Sequence, residues 1–201
     1  MSVRGRTNHE TEIKLRVADI PAVLRDLRRL GAKDHGRVFE ANALYDTPNS
    51  DFWRRHRLLR LRTETPAPSE ALPGGRSCAV VTSKAPVPGA RHTRYKQNFE
   101  REVAIRFPGR WPRILRALGL RPGFRYEKYR TAFSLPGLHL DLDETPVGVF
   151  LELEGSPHVI DRIARALGFS PRDYIRGTYW DLYQAECRRT GRIPRNLLFR
   201  R

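Results

Sequence analysis

Charged residues that stand two positions apart recur in six segments of this 201-residue chain. In the first segment, Glu10, Glu12 and Lys14 alternate with Ile13 and Leu15. Successive side chains of a β-strand point to opposite faces, so this spacing predicts a strand with one charged face and one apolar face. The other segments repeat the pattern with Arg60 and Arg62, with Glu100 and Glu102 after Asn98, with Lys128 and Arg130, with Asp141 and Asp143, and with Glu152 and Glu154.

Two interpretations of these charged faces are open. A half-buried antiparallel strand commonly turns its charges to water, and this is the ordinary reading of any one segment. Like charges on one strand face repel each other, however, and six such strands gain nothing from being segregated by sign. If the sheet closes with these faces inward, acidic strands could hold divalent metal and basic strands could hold phosphates in one lumen. The segregation therefore favours a charged tunnel.

The remaining pattern predicts the elements that would position these charges. Apolar stripes at helical spacing indicate four helices, and one of them has Asp19 as its N-cap and Gly31 as its stop. The helices are expected at about 20–30, 114–118, 159–167 and 170–188. Alternating segments predict about eight strands, at 11–17, 38–46, 58–62, 77–84, 95–107, 126–133, 139–144 and 150–154. We expect an α+β fold: an eight-stranded antiparallel β-tunnel, a closed barrel with a charged interior and helices packed on the outside.

Composition limits the class of protein. Hydrophobic residues make up 39% of the chain and charged residues 30%, which is typical of a folded domain. No apolar stretch approaches the ~20 residues that a membrane span requires, and the first residues lack the apolar run of a secretion signal. Cys78 and Cys187 are the two cysteines, and they stand far apart, so neither a disulfide framework nor a zinc site is expected. A cytoplasmic location is the expectation.

The net charge of +16 indicates either a solvated arginine-rich surface or a polyanionic partner. Of the 38 basic residues only five are lysine, so arginine is strongly favoured. Lys14, Lys84 and Lys128 nevertheless fall on the candidate inner faces, where a compact ammonium group could bind phosphate.

The opening E-x-E-x-K of Glu10, Glu12 and Lys14 resembles the signature of the CYTH domain, the triphosphate tunnel metalloenzymes. The similarity continues in the family's order over about 10–182. The matching segments are ALYDTPNSDFWRRHRLLRLRTE, AVVTSKAP, YEKYR, LDETPVGVFLELEG and YIRGTYWDLY. One departure is Asn98, which stands where the family often has a basic residue and which Lys96 or Arg101 could compensate.

This resemblance implies a single domain over 1–201, with a core at about 9–185 and a basic tail at about 188–201. It also implies a cofactor of Mg²⁺ or Mn²⁺, with two ions per site. The implied metal ligands are Glu10, Glu12, Asp143, Glu152 and Glu154, supported by Glu100, Glu102, Asp141 and Lys96. The implied phosphate ligands are Lys14, Arg60, Arg62, Lys84, Lys128 and Arg130. Lys14, Lys84, Arg60 and Arg62 are expected to be catalytic.

The resemblance implies an enzyme that breaks a phosphoanhydride bond and leaves two reactions open. Attack by water on the terminal phosphorus would make it a triphosphatase of ATP, inorganic triphosphate or thiamine triphosphate. Attack by the ribose 3′-hydroxyl would make it a class IV adenylate cyclase. No membrane partner is expected, and a homodimer is an open alternative.

Two further interpretations place the function outside catalysis. A catalytically silent polyphosphate-binding protein would keep every basic residue. A nucleic-acid surface would use Trp53, Tyr95, Trp111 and Tyr126 among the arginines. The nucleic-acid alternative leaves the acidic pairs without a role and is disfavoured. His9 and His139 precede acidic pairs, and both are predicted to point away from them.

Overall fold

The chain was analysed as a computed structural model, which describes residues 6–67, 78–90 and 93–200. Residues 1–5, 68–77, 91–92 and 201 of the predicted domain lie outside these ranges, and residue 77 is the predicted start of the fourth strand. Among the described residues, no helix combines the length and the apolarity needed to cross a bilayer.

Eight strands form one closed antiparallel barrel, as predicted. They are β1 (Arg6–Val17), β2 (Lys33–Asp46), β3 (Leu58–Pro66), β4 (Cys78–Pro86), β5 (Lys96–Ala104), β6 (Arg121–Leu135), β7 (Leu138–Thr145) and β8 (Gly148–Gly155). Around the barrel their order is β1-β5-β4-β3-β2-β6-β7-β8. Closure pairs every strand on both sides and leaves no free sheet edge. Most strands extend a few residues beyond their predicted ends, whereas β5 stops three residues short of position 107.

The main hydrophobic core lies outside the barrel wall. Leu140, Leu142, Leu151 and Leu153 alternate with the charged residues of β7 and β8 and are almost fully buried. Two helices cover them, α1 (Ile20–Arg29) and α4 (Pro157–Ala166). The apolar faces of the strands thus pack under helices, and the charged faces are left to line the lumen.

Local capping explains where the first helices begin. The Asp19 carboxylate accepts a hydrogen bond of 2.9 Å from the backbone N–H of Ala22, as its predicted N-cap role requires. The short helix α2 (Asp51–Arg54) was not predicted. It is held by the Asp46 carboxylate, which accepts 2.9 Å bonds from the N–H groups of Phe52 and Trp53.

A third helix, α3 (Trp111–Ala117), packs on the outer wall of the barrel. Its Trp111 and Leu115 contact a small cluster around Tyr45 and Leu61, residues of β2 and β3. This helix is close to the predicted position at 114–118.

The predicted helix at 170–188 is wrong over its first half. A 3-10 turn, Pro171–Asp173, is followed by an extended segment in which Ile175 exchanges two backbone hydrogen bonds with Lys14, of 3.1 and 2.8 Å. The helix α5 (Tyr179–Thr190) begins only after Thr178, which forms a capping box with Asp181. The capping pair sets a new helix start that the apolar spacing alone did not reveal.

Helix α5 also covers one end of the barrel instead of its wall. Tyr179 packs on Tyr126 and Phe150, with ring centroids 5.8 Å away in each case. Tyr126 and Phe150 share strand faces with Lys128 and Glu152, so they point into the barrel. Leu197 of the C-terminal segment completes this aromatic cluster. The aromatic cluster closes one end of the lumen.

Candidate active site in the barrel lumen

The charged strand faces form two halves of one lumen. Four consecutive strands around the barrel make an acidic half, namely β7, β8, β1 and β5. The other four complete the circle as a basic half, namely β4, β3, β2 and β6. The acidic half is lined by Asp141, Asp143, Glu152, Glu154, Glu10, Glu12, Glu100 and Glu102. The basic half is lined by Lys84, Arg60, Arg62, Lys128 and Arg130. The barrel therefore brings together all the site residues predicted from the sequence, including Lys14 and Lys96 within the acidic half.

Carboxylates crowd the acidic half because of strand register. Glu12 lies directly opposite Glu154 in the β1–β8 pair, and residues so placed are within about 5.5 Å at Cβ. Burial and the charge of Glu12 raise the pKa of Glu10 to about 8, although Lys84 opposes this. Burial also raises the pKa of Glu154, with Glu12 and Glu100 adding to the effect and Lys84 opposing it. Burial and mutual repulsion therefore both disfavour the charged form of these two carboxylates.

Lysines bridge the acidic carboxylates. The Lys84 ammonium group donates to both oxygens of Glu10, at 2.6 and 2.8 Å, and Lys96 donates to Glu12 at 2.6 Å. Lys14 pairs with Glu152 at 2.7 Å. Burial alone would raise the pKa of Glu12, but Lys96 and Lys14 hold it below its ordinary value. The lysines are the counter-ions of an otherwise repulsive surface.

Arg130 joins the two halves of the lumen. Its guanidinium group makes a bidentate pair with the Asp143 carboxylate, at 2.7 and 2.6 Å, and also reaches Glu152 at 2.7 Å and Asp141 at 2.5 Å. Lys128 donates to the same Asp143 carboxylate at 2.8 Å. Burial would lower the pKa of Arg130, but these carboxylates raise it well above its ordinary value. The Arg130 guanidinium group therefore stays charged in this partly buried position.

Arg60 and Arg62 line the other side of the basic half. Arg60 donates to the hydroxyl groups of Thr82 at 3.1 Å and Tyr126 at 3.4 Å. Arg62 pairs with Glu64 at 3.0 Å, and both arginines approach Glu102, at 3.4 and 3.5 Å. Their positions are set by polar contacts along β3 and its neighbours.

Glu40 is an inward-facing carboxylate that the sequence reasoning missed. It is 0% exposed in the middle of the basic half. It lies 3.4 Å from Lys128, 3.4 Å from Arg62 and 3.6 Å from Arg130. These cations hold its pKa below the ordinary value despite burial. The sequence does contain a pattern that indicates an inward-facing Glu40, since Glu40 and Asn42 alternate with apolar neighbours on β2.

Tyr179, which was not among the predicted site residues, reaches the lumen from α5. Its hydroxyl group donates to the Asp143 carboxylate at 2.6 Å. Its ring centroid lies 5.0 Å from the Lys14 ammonium nitrogen and 5.2 Å from that of Lys128, which is a double cation–π contact. Burial and the charge of Asp143 raise the pKa of Tyr179 well above 10. The helix that closes the barrel thus contributes a hydrogen-bond donor to the site.

Lys96 supplies the positive charge next to Asn98. Lys96 stands two positions before Asn98 and therefore shares its inward face. Position 101 stands three positions after Asn98 and therefore lies on the opposite face of the strand. Asn98 is buried opposite Glu10, and its side-chain nitrogen has no hydrogen-bond partner among the described residues.

The prediction for His139 is wrong. Its Nε2 lies 3.0 Å from the Asp141 carboxylate, because residues two apart on a strand share a face. This contact raises the pKa of His139. His9 follows the prediction: it points outward and packs edge-on against Phe99.

The donor set of the acidic half fits a hard divalent cation in type, since Mg²⁺ and Mn²⁺ prefer carboxylate oxygens. The described residues do not, however, include three or more acidic, histidine or cysteine side chains already gathered around one point. Most of these carboxylates turn toward a lysine or an arginine instead, as Glu10 does toward Lys84 and Asp143 toward Arg130. A metal ion would take over carboxylates that these cations now neutralise.

Comparisons with known proteins agree with this geometry. The family model of the CYTH domain matches residues 8–179. A protein of Methanocaldococcus jannaschii, named as a candidate adenylate cyclase, is 26% identical over 185 residues, which cover 86% of this chain and 97% of the relative. The family model spans nearly the whole barrel and ends at Tyr179, the first residue of α5.

Solved structures of low identity share the fold. A candidate adenylate cyclase of Vibrio parahaemolyticus superposes with a TM-score of 0.71 at 19% identity, covering 89% of this chain and 99% of the other. A protein of Pyrococcus horikoshii gives 0.72 at 21% identity, covering 88% and 99%. A candidate adenylyl cyclase of Hippeastrum, described as having a dominant triphosphatase activity, gives 0.55 at 17% identity, covering 92% and 97%.

Proposed function

Because the chain belongs to the CYTH domain family, we propose that it binds a triphosphate together with Mg²⁺ or Mn²⁺ in its lumen and hydrolyses a phosphoanhydride bond. The observation that carries this proposal is the division of the lumen into a basic and an acidic half. A metal–triphosphate complex has the same division, with anionic oxygens on one side and cationic metal on the other.

The basic half would bind the phosphate oxygens. Arg60, Arg62 and Arg130 offer planar donor groups that match phosphate geometry, and Lys84 and Lys128 offer compact charges. Lys128 is buried and the other four cations are partly buried, and all five are paired with carboxylates. A charge removed from water is costly to leave alone. The triphosphate would replace the carboxylates as their partner, so binding exchanges ion pairs and leaves no cation without one.

The acidic half would hold the metal. Its candidate ligands are Glu10, Glu12, Asp143, Glu152 and Glu154. When bound, the metal would neutralise charge on the phosphate oxygens and lower the pKa of the attacking water. Lys14 stands between these carboxylates and Tyr179, where its charge would face the bound phosphates.

The chain's own contribution to the reaction is positioning and charge neutralisation. Attack of water on the terminal phosphorus forms a new P–O bond while the bond to the bridging oxygen breaks. The electron pair of the broken bond leaves with the shortened phosphate chain. Arg60, Lys84 and Arg130 would stabilise that developing charge.

Hydrolysis is favoured over cyclisation by the closed end of the lumen. The inward-facing rings of Tyr126 and Phe150 are covered by Tyr179, and the charged half-walls occupy the rest of the described lumen. A linear phosphate chain matches that lining better than a nucleotide with an aromatic base. Adenylate cyclisation is the second candidate, because the relative from M. jannaschii carries that name.

The test is to incubate the purified chain with inorganic triphosphate, ATP and thiamine triphosphate, each with Mg²⁺ or Mn²⁺, and to resolve all products by ion-exchange chromatography. Orthophosphate with a shortened chain would support hydrolysis, and cyclic AMP with pyrophosphate would establish the cyclase instead. Loss of activity on chelation would support the metal requirement.

Glu12→Gln should abolish turnover, and Glu127→Gln is its matched control. Glu127 lies on the outer face of β6, where its carboxylate accepts from the backbone N–H of Phe199 at 3.1 Å. If no substrate is turned over but triphosphate still binds by calorimetry, the catalytic proposal fails and a binding protein remains. If neither occurs, the lumen has another function.

A further inference from the structure

The net charge of +16 is not located in the lumen. Acidic side chains there outnumber the lysines and arginines that pair with them, so the positive excess must lie on the outside. The region 103–126 concentrates it, because this stretch contains six arginines and not one Asp or Glu. Its basic residues are Arg106, Arg110, Arg113, Arg116, Arg121 and Arg125.

Large apolar side chains are exposed in the same region. Phe107 is 65% exposed, Ile114 is 44% exposed and Leu118 is 70% exposed. Ile114 and Leu118 are four residues apart, so they lie on one side of α3. Arg110 and Arg113 are exposed beside them, and the Arg110 guanidinium group stacks 5.0 Å from the Phe107 ring centroid. We call Phe107, Arg110, Arg113, Ile114, Arg116 and Leu118 the α3 surface.

The arginines of the α3 surface have no carboxylate partner among the described residues. Elsewhere on the outer face such pairs do form, as between Arg37 and Glu144 at 2.8 Å. A cavity of about 570 Å³ adjoins the α3 surface, and Arg116 and Arg121 line it together with Pro48 and Leu120. The surface thus combines unpaired cations, exposed apolar side chains and a recess between two arginines.

We propose that the α3 surface docks the protein onto anionic phospholipid membranes. Exposed apolar side chains flanked by arginines are the features of a segment that lies in the membrane interface. Lipid phosphates would pair with the arginines, and the recess between Arg116 and Arg121 has room for one headgroup. The expectation of no membrane partner was based on the lack of a spanning segment, which does not bear on surface binding.

A lipid surface fits the α3 surface better than a nucleic acid does. Both partners would use the arginines, but single-stranded nucleic acid gains affinity by stacking bases on aromatic rings. Phe107 has such a ring, but the Arg110 guanidinium group already stacks on it. Ile114 and Leu118 are aliphatic, and acyl chains bury them favourably. The proposal does not depend on the reaction in the lumen.

The experiment is co-sedimentation of the full-length chain with vesicles of phosphatidylglycerol and phosphatidylcholine, and with vesicles of phosphatidylcholine alone. Binding to the anionic vesicles should fall as salt rises, because exposed charges are screened. The triple change Arg110→Glu, Arg113→Glu and Arg116→Glu should weaken it at least about tenfold, since each basic residue near such a surface contributes on the order of 1 kcal/mol.

Two further variants distinguish binding through the α3 surface from binding through net charge alone. Arg25→Glu, Arg28→Glu and Arg29→Glu reverse three exposed arginines of α1, which has the same kind of charge but no large exposed apolar side chain, and should weaken binding much less. Ile114→Ser with Leu118→Ser should weaken lipid binding while the net charge is unchanged. All variants should keep the circular dichroism spectrum of the folded chain, because the altered side chains are exposed.

The proposal is overturned if both triple variants weaken vesicle binding equally, because net charge alone then explains it. It is also overturned if the Ile114→Ser, Leu118→Ser variant binds like the unaltered chain, or if single-stranded RNA binds through these arginines and the anionic vesicles do not.

Discussion

Replacing Tyr179 by Phe isolates one hydrogen bond in the closed end of the lumen. The change removes the hydroxyl group that donates to Asp143 at 2.6 Å. The ring, its packing on Phe150 and its contacts with Lys14 and Lys128 remain. Any effect therefore reports on the hydroxyl group and not on a cavity.

The size of the effect follows from the acceptor. Asp143 is 0% exposed, and a hydrogen bond to a charged group contributes about 1.5–3 kcal/mol to stability. Asp143 keeps its bonds from Lys128 and Arg130, so the carboxylate is not left unpaired. For a chain of this length, 1 kcal/mol corresponds to roughly 2–4 °C, so the melting temperature should fall by about 3–12 °C.

The assay is urea unfolding followed by circular dichroism, with a thermal scan of the same samples. The matched control is Tyr129→Phe, because the hydroxyl group of Tyr129 makes no hydrogen bond to any described residue, and its ring packs on Phe39 with centroids 5.2 Å apart. The control should change stability by less than about 0.5 kcal/mol. The reasoning is refuted if the two variants lose the same stability, or if Tyr179→Phe loses none.

Three other changes test separate parts of the structure. Glu40→Gln should lower the free energy of unfolding by about 1–3 kcal/mol, because the buried Lys128 and two partly buried arginines lose a counter-ion. The same change should tighten metal-free triphosphate binding. Urea unfolding and calorimetry measure the two effects. His139 bonds to Asp141, and this bond raises the pKa of His139. Its contribution to the free energy of unfolding is therefore complete below about pH 6.5 and is lost as pH rises through the raised pKa. His139→Asn should remove that pH dependence from the free energy of unfolding measured across pH. Ile160→Ala should cost about 2–5 kcal/mol in urea unfolding, because Ile160 is 0% exposed in the outer core, while triphosphate turnover well below the melting temperature should be unchanged. A pH slope that survives in the histidine variant, or weaker triphosphate binding in the Glu40 variant, would contradict the electrostatic account.

The alternation of side chains along the strands predicted most of the residues that line the lumen. Because side chains alternate, a charge at Glu10 fixes the faces of Glu12 and Lys14 whatever the strand pairs with. The same rule applied correctly to His139 would have placed it beside Asp141. Glu40 was missed because no second charged residue stands two positions from it on β2, and its importance comes from the cations of β3 and β6 that surround it.

Helical periodicity was less informative at the C-terminus. The pattern shows that a helix has an apolar side but not which surface that side covers. Tyr179 could therefore be recognised as buried, whereas its contact with Asp143 depends on α5 lying across the end of the barrel. The extended residues before α5 owe their conformation to pairing with Lys14, a contact between distant parts of the chain.

Local alternation in the sequence predicts which residues share a strand face and the sign of charge that most of these faces carry. Closure of the barrel turns those faces inward. The tertiary structure alone decided that the acidic strands are neighbours and that the basic strands face them. That arrangement depends on the pairs β1–β5, β1–β8 and β2–β6, which join strands distant in the chain. Only closure of the barrel makes these pairs, so no local pattern could reveal them.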